Sequence, residues 1–412
     1  MLYDQPDILL TLNKICRILR IIIYTGKGGT GKTVNSCSTA VKLADNNYNT
    51  LLLSSDPAHS LSDAFQIDFI GNEPKKIVDN LYAIQVDPIL EISKYFKSIL
   101  TYLASVFYSK GVDETISYEI AMLPGMTQLF SLLKIEESVN HGNYDAIVLD
   151  MPASGEALRY LYFPKLAGSI GRKLTGFTGV FSGFAKMFQP FSGFYGTSPN
   201  SGVLKDEMGL ITKLEKLSSL IINPNITSLR LIVNPDTFSI ENAKRTLMSA
   251  NLYGINVDLV IINKIMPMSI SDEYFANWSR SQNYKVQEAK SNFYPLIIRE
   301  AKLYGTELRG VDMLREHGNL IFKTDDPLKI FHLGNVFEFL KEESGLIIKL
   351  KVPFTDKENF EIKRFGDQLS IKINGPIGYV INVVPLPMAT IGMNIVSSKL
   401  VNNQLIIFFK NN

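Results

Sequence analysis

Gly26, Gly31, Lys32 and Thr33 stand in the order Gly-x-x-x-x-Gly-Lys-Thr, directly after the apolar run RIIIY and before a helical pattern. A strand that turns through glycines into a helix N-terminus aims backbone N–H groups and the positive end of the helix dipole at one point, so the spacing implies a phosphate-binding loop. Lys32 is expected to reach the β- and γ-phosphates of a nucleotide as a mobile point charge, and the Thr33 hydroxyl to ligate magnesium. Gly28, Gly29 and Gly31 permit close backbone approach, and Thr30 completes the loop. Cys37, on the following helix, is read as a small buried residue. Lys27 is the unusual member: a second lysine five residues ahead of the first, where most phosphate loops leave the position free.

Open α/β sheets bind ligands at the C-terminal ends of their strands, and two aspartates stand at such ends. Asp56 follows the run TLLLS, where its carboxylate can orient an attacking water. Asp150 follows YDAIVL and has the strand-then-aspartate form of a residue that holds a magnesium ligand from behind, with Gly155 beyond it allowing backbone approach to the γ-phosphate. Taken singly, either aspartate also reads as a helix N-cap.

Around these residues the chain alternates β-branched runs with helical patterns. The runs cover 20–24, 50–54, 81–86, 144–149, 230–233 and 258–262, which predicts buried strands of a mainly parallel sheet. About 55 residues with helical character separate the third run from the fourth, so a helical subdomain is expected over about 89–140 and 160–222. From residue 346 the alternation becomes that of half-exposed strands, with turn signals FGDQ, NGP and VNNQ, and a small all-β sandwich is expected over 346–412. Residues 326–345 are expected to be a linking helix stopped at Gly345. Residues 1–17 read as an N-terminal extension and 18–325 as the nucleotide-binding domain.

Bulk properties bound the partners. The 412 residues exceed what one core normally organises. Forty-two Lys and Arg against 40 Asp and Glu leave a net charge of +2, which gives no argument for nucleic acid or a membrane surface. Two cysteines, Cys16 and Cys37, are too few for a disulfide framework, so a reducing, cytoplasmic location is expected. No apolar run reaches the length of a membrane span.

The blocks TGKGGTGKT (25–33), SSDPAHSLSDAF (54–65), DMPASGEALRYLYFP (150–164), VNPDTFSIENAKRTL (233–247) and VIINKIMP (260–267) together resemble the ATPase family that contains the arsenite-pump ATPase and the targeting factor for tail-anchored membrane proteins. The resemblance implies ATP as the nucleotide and a homodimer in which Lys27 reaches the phosphates bound by the other subunit. A cation supplied in trans neutralises transition-state charge only when two subunits meet, which gives the second lysine a physical reason. The same resemblance implies that Asp56 positions the hydrolytic water, that Asn263 recognises adenine, and that Asp236 takes a nucleotide-binding place where the family has glutamate. It also implies switch segments containing Pro57, His59, Ser62, Asp63, Pro152 and Gly155.

The C-terminal segments LKVPF, FEIKRFGDQLSIKI and INVVPLP resemble the α-crystallin-like domain of small heat-shock proteins, which some members of this ATPase family carry. Two departures narrow the expectations. No Cys-x-x-Cys pair exists, so a zinc-bridged dimer is not expected, and two dispersed cysteines do not supply a metalloid site. Glu156 and Val34 replace the family's usual histidine and hydroxyl residue.

Residues 174–196 hold six of the chain's 24 phenylalanines. Phe177, Phe181, Phe184, Phe188 and Phe191 share one helical face, with Met187 beside them, while glycines and Pro190 weaken the helix. Two readings stay open: a stripe buried in the protein's own core, and a movable lid over a groove for an apolar helix. The leading expectation is an ATP-driven homodimeric targeting factor or chaperone for hydrophobic protein segments, with a membrane receptor left open as a further partner. A nucleotide-stabilised chaperone-like protein for soluble clients and an arsenite or partitioning ATPase are the alternatives.

Overall fold

Why the phosphate loop follows the run at 20–24 is visible in the sheet that holds it. The computed structural model describes residues 19–55, 60–68, 70–87, 126–152, 158, 161, 201–267, 273–334, 337–342, 345–352, 360–365, 368–375, 378–386, 390 and 392–411. Eight strands form one sheet in the order β3-β4-β2-β5-β1-β6-β7-β8. They are β1 (Arg20–Gly26), β2 (Thr50–Ser54), β3 (Lys75–Val78), β4 (Leu81–Gln85), β5 (Ala146–Asp150), β6 (Thr227–Val233), β7 (Val257–Ile265) and β8 (Ile297–Lys302). All neighbours run parallel except the β3–β4 pair at one edge.

The central strands read as unbroken apolar runs because both faces are covered. Alternate residues of β1 divide between two cores. Ile21 and Ile23 join one face with α3 (Met126–His141), α4 (Ser201–Ile222), α5 (Thr237–Tyr253) and α6 (Glu273–Phe293). Ile22 and Tyr24 join the other with α1 (Lys32–Asp45), α2 (Ser60–Phe65) and α7 (Val311–Phe322). The described helices from the expected helical subdomain, α3 and α4, bury Leu132, Ile135, Leu214 and Leu217 in the sheet's own core.

The C-terminal module is two antiparallel sheets. One has the order β14-β15-β10-β9 and the other β11-β12-β13, built from β9 (Phe337–Glu342), β10 (Gly345–Lys351), β11 (Phe360–Phe365), β12 (Gln368–Gly375), β13 (Gly378–Pro385), β14 (Met393–Val401) and β15 (Gln404–Asn411). Ile348, Leu350, Ile371, Ile373, Ile407 and Phe409 fill the space between them, and Met248 and Leu252 of α5 enter the same core. The module is therefore seated on a helix of the nucleotide-binding domain.

One expectation is corrected. Among the described residues of 326–345 there is no linking helix: 326–334 is turns and irregular chain, and Phe337–Glu342 is β9, paired antiparallel with β10. Leu, Lys and Glu favour a helix there, but pairing with the otherwise open edge of β10 overrides that local preference. The module accordingly begins at β9.

Candidate functional site

Five residues, 27–31, separate the end of β1 from the helix that follows, and their backbone takes shapes that need glycine. Gly29 has φ +78° and Gly31, the N-cap of α1, φ +91°, both left-handed. Gly26 lies against β6: a Cβ there would stand 2.3 Å from the Ile232 carbonyl oxygen. Thr30 closes the turn, its hydroxyl donating to the Lys27 carbonyl at 2.8 Å. Lys32 is buried at the first turn of α1, while Lys27, Gly28 and Gly29 are exposed.

Asp150 ends β5, and strand register brings it level with Tyr24 of β1 and Ser54 of β2. Its Oδ2 accepts the Thr33 hydroxyl at 2.8 Å and the Ser54 hydroxyl at 3.4 Å. A loop threonine backed by a buried carboxylate is the donor set that suits a nucleotide-bound magnesium ion. Among the described residues no group of three or more His, Cys, Asp or Glu is placed to hold a metal by itself.

Asn263 and Lys264, at the end of β7, brace the loop from the other side. Asn263 Nδ2 donates to the Thr30 carbonyl at 2.8 Å and would stand 2.4 Å from a Cβ at Gly31. Lys264, with φ +58°, donates to the Gly29 carbonyl at 2.7 Å. Asp236 caps α5, accepting from the Ser239 N–H at 2.8 Å, while Ser239 Oγ accepts from the Asn234 N–H at 2.9 Å. That cap fixes where Phe238 stands, and Lys27 Nζ lies 5.8 Å from the centre of the Phe238 ring, which is 77% exposed.

Of the switch residues, Ser62 Oγ accepts from the Ile70 N–H at 2.9 Å, Asp63 lies in α2, and Pro152 is half-buried just past β5. Asp56, Pro57, His59, Gly155 and the aromatic series Phe177, Phe181, Phe184, Met187, Phe188 and Phe191 lie outside the described residues. Cys37 is fully buried as expected, and burial, then the Asp150 charge, raises its thiol well above the ordinary value, which removes it as a nucleophile.

Lys264 and Phe238 were not singled out from the sequence. A lysine two places past an apolar run and one phenylalanine among many carry no local signal. Only the strand order that lays β6 beside β1 and β7 beside β6 brings them to the loop.

The comparisons with known proteins agree with this geometry. Residues 19–323 match the family described as Anion-transporting ATPase, and residues 343–409 match the HSP20-like domain found in ArsA. A Chlorobaculum tepidum protein bearing the name arsenical pump-driving ATPase is 32% identical over 381 residues, 91% of this chain and 92% of its own. An Aquifex aeolicus protein bearing the name arsenical pump-driving ATPase 1 is 28% identical over 401 residues, 95% of this chain and 100% of its own. The ATPase get3 of Schizosaccharomyces japonicus is 26% identical over 310 residues, 74% of this chain and 92% of its own.

Proposed function

We propose, from the premise that this chain belongs to the anion-transporting ATPase family, that ATP closes a homodimer of it and so assembles a binding groove for a hydrophobic protein segment of the tail-anchored kind, which hydrolysis later releases. The observation that carries this reading is the placement of Lys27. It sits on the phosphate loop yet is exposed, its ammonium held over an exposed phenylalanine ring. A lysine facing outward from the loop is suited to a phosphate on a second subunit.

In this reading the N–H groups from Gly28 to Thr33 cradle the phosphates, Lys32 neutralises the β- and γ-oxygens, and Asn263 stands at the adenine side while it braces Thr30. Asp236 keeps the α5 cap against the nucleotide. Magnesium, when bound, supplies charge neutralisation on the phosphate oxygens. Thr33 offers it a hydroxyl, and Asp150 orients that hydroxyl from behind. Asp56 positions the attacking water, and the segments containing Pro57, His59, Ser62, Asp63, Pro152 and Gly155 relay the nucleotide's state. The lid is the phenylalanine-rich stretch 174–196.

A second reading has one observation of its own. The HSP20-like module shares its core with Met248 and Leu252 of α5, which fits a nucleotide-stabilised chaperone whose module holds soluble clients. The metalloid pump reading is supported by relatives' names, but Cys16 and Cys37 do not make a soft-ligand cluster.

The experiment that separates them is capture of a freshly synthesised protein bearing one C-terminal hydrophobic helix, with ATP or ADP, by wild type and by a chain lacking residues 177–194. Capture that needs both the nucleotide and that segment is expected. Capture indifferent to nucleotide, or none, overturns the targeting reading and favours the module as the client site.

A further inference from the structure

A cavity of about 230 Å³ opens where the end of α5, the end of α6, the segment before β9 and the β14–β15 hairpin meet. Asn251, which lines it, stands roughly 20 Å along α5 from the cap Asp236, so the cavity is separate from the phosphate loop. A water molecule's share of liquid volume is about 30 Å³, and this space holds a group several times larger.

Its lining is rich in donors. Lys351 of β10 and His332 face it, with the amides of Asn251, Asn292 and the hairpin residues Asn402 and Asn403. None of the described lining residues is acidic. A Cβ at Gly334 would stand 2.9 Å from Lys351 Nζ and 3.0 Å from His332 Nε2, so the missing side chain leaves both nitrogens converging on one spot. Asn292 Nδ2 is buried there without a hydrogen-bond partner, a donor that ordinarily costs free energy to leave unmade. The Asn256 amide shapes the wall, donating to the His332 carbonyl at 3.0 Å and accepting from the Gly334 N–H at 3.5 Å. Burial and the Lys351 charge hold His332 below its ordinary value, opposed by Asp258. That carboxylate is already engaged by Arg230 at 3.3 Å.

A cation, an imidazole, side-chain amides and one buried, unpartnered amide donor around one space, with no carboxylate among the described lining residues, are what a negatively charged oxygen group requires. We infer that this cavity binds a small oxyanion, a carboxylate or a phosphate, held between the nucleotide-binding domain and the C-terminal module. The donors come from both sides: Asn251 and Asn292 from the first, Lys351 and the hairpin from the second. Occupancy fastens the module to α5 and α6, the former being the helix whose other end is capped beside the phosphate loop.

The test is calorimetric titration of the full chain held in saturating magnesium ADP, so that the phosphate loop is filled. Inorganic phosphate is the probe in one arm and malonate in the other. Saturable binding of at least one probe, at one site per chain, is expected in wild type. It weakens at least tenfold in Lys351→Met and in His332→Gln, and it is kept in Lys351→Arg. Preference for phosphate or malonate assigns the ligand class. Absence of saturable heat from both probes, or unchanged binding in Lys351→Met and His332→Gln, overturns the assignment.

Discussion

Thr33 Oγ1 donates to Asp150 Oδ2 at 2.8 Å, which ties the first turn of the phosphate-loop helix to the end of the neighbouring strand β5. The bond is made by register rather than by sequence proximity, since Asp150 is level with Tyr24 and Ser54 on the two flanking strands. Asp150→Asn keeps the shape and removes the charge that orients the hydroxyl. Turnover is expected to fall about 10- to 100-fold, the range seen when a group behind a metal ligand is changed, while Thr33→Ser stays near wild type. Steady-state phosphate release in magnesium ATP checks both.

Lys27→Ala is expected to leave ATP affinity unchanged and to reduce turnover by roughly 10³-fold, as for other cations supplied across an interface. Phe238→Ala, which removes only the ring under the ammonium, is expected to change turnover far less. Equal hydrolysis by wild type and Lys27→Ala would end the trans-lysine assignment.

Gly318 lets α7 lie directly on α1. A Cβ there would stand 2.7 Å from the Ser38 carbonyl oxygen and 3.4 Å from Lys42 Cβ. Gly318→Ala gains about 1 kcal/mol of helix propensity but overpacks a backbone contact, a cost of about 1–3 kcal/mol. A net loss of stability is expected, read as a lower urea midpoint. Since α1 starts at Lys32, the same variant is expected to weaken ATP binding.

Arg230 and Asp258 form a fully buried pair, with Arg230 Nη2 also donating to the Pro327 carbonyl at 2.7 Å and the guanidinium lying over Phe322 and Phe331. Arg230→Met strands a buried carboxylate and is expected to cost about 3–5 kcal/mol. Asp258→Leu added to it removes the stranded charge and is expected to recover part of the loss. A double-mutant cycle by denaturant unfolding measures the coupling.

His317 is fully buried with no hydrogen-bond partner on either ring nitrogen, edge-on to Tyr304. Burial, then the Lys302 charge, lowers it from 6.5 to about 4. The unfolded chain therefore takes up a proton at this residue as pH falls through 6.5, and the folded chain does not until about pH 4. Stability is full above pH 6.5 and is lost through that window, by on the order of 3 kcal/mol at its lower end. His317→Phe keeps the ring contact, and the difference between its pH–stability curve and wild type's isolates this residue.

The loop was legible because its requirements are local. Positive φ at Gly29 and Gly31 and a lysine and threonine at a helix start leave a pattern in consecutive residues. The six apolar runs were legible because strands covered on both faces need apolar residues at every position. Strands β3 and β8 were not, since KKIV at one edge has only two apolar residues after two exposed lysines and IIREAK, at the other, carries charges on its open side. Nor was β9, where helix-favouring residues were recruited to cover a sheet edge.

By itself the sequence determined the phosphate loop, the mainly parallel α/β class and a separate β module, since each follows from dihedral limits, side-chain periodicity and burial read over a few neighbouring residues. Tertiary structure alone decided that Asn263 and Lys264 brace the loop, that Phe238 sits under Lys27, that Met248 and Leu252 carry the module, and that Lys351, His332 and Asn292 share a cavity. Those meetings depend on strand order and on how a helix is seated between two sheets. Nothing in the residues nearest along the chain encodes them.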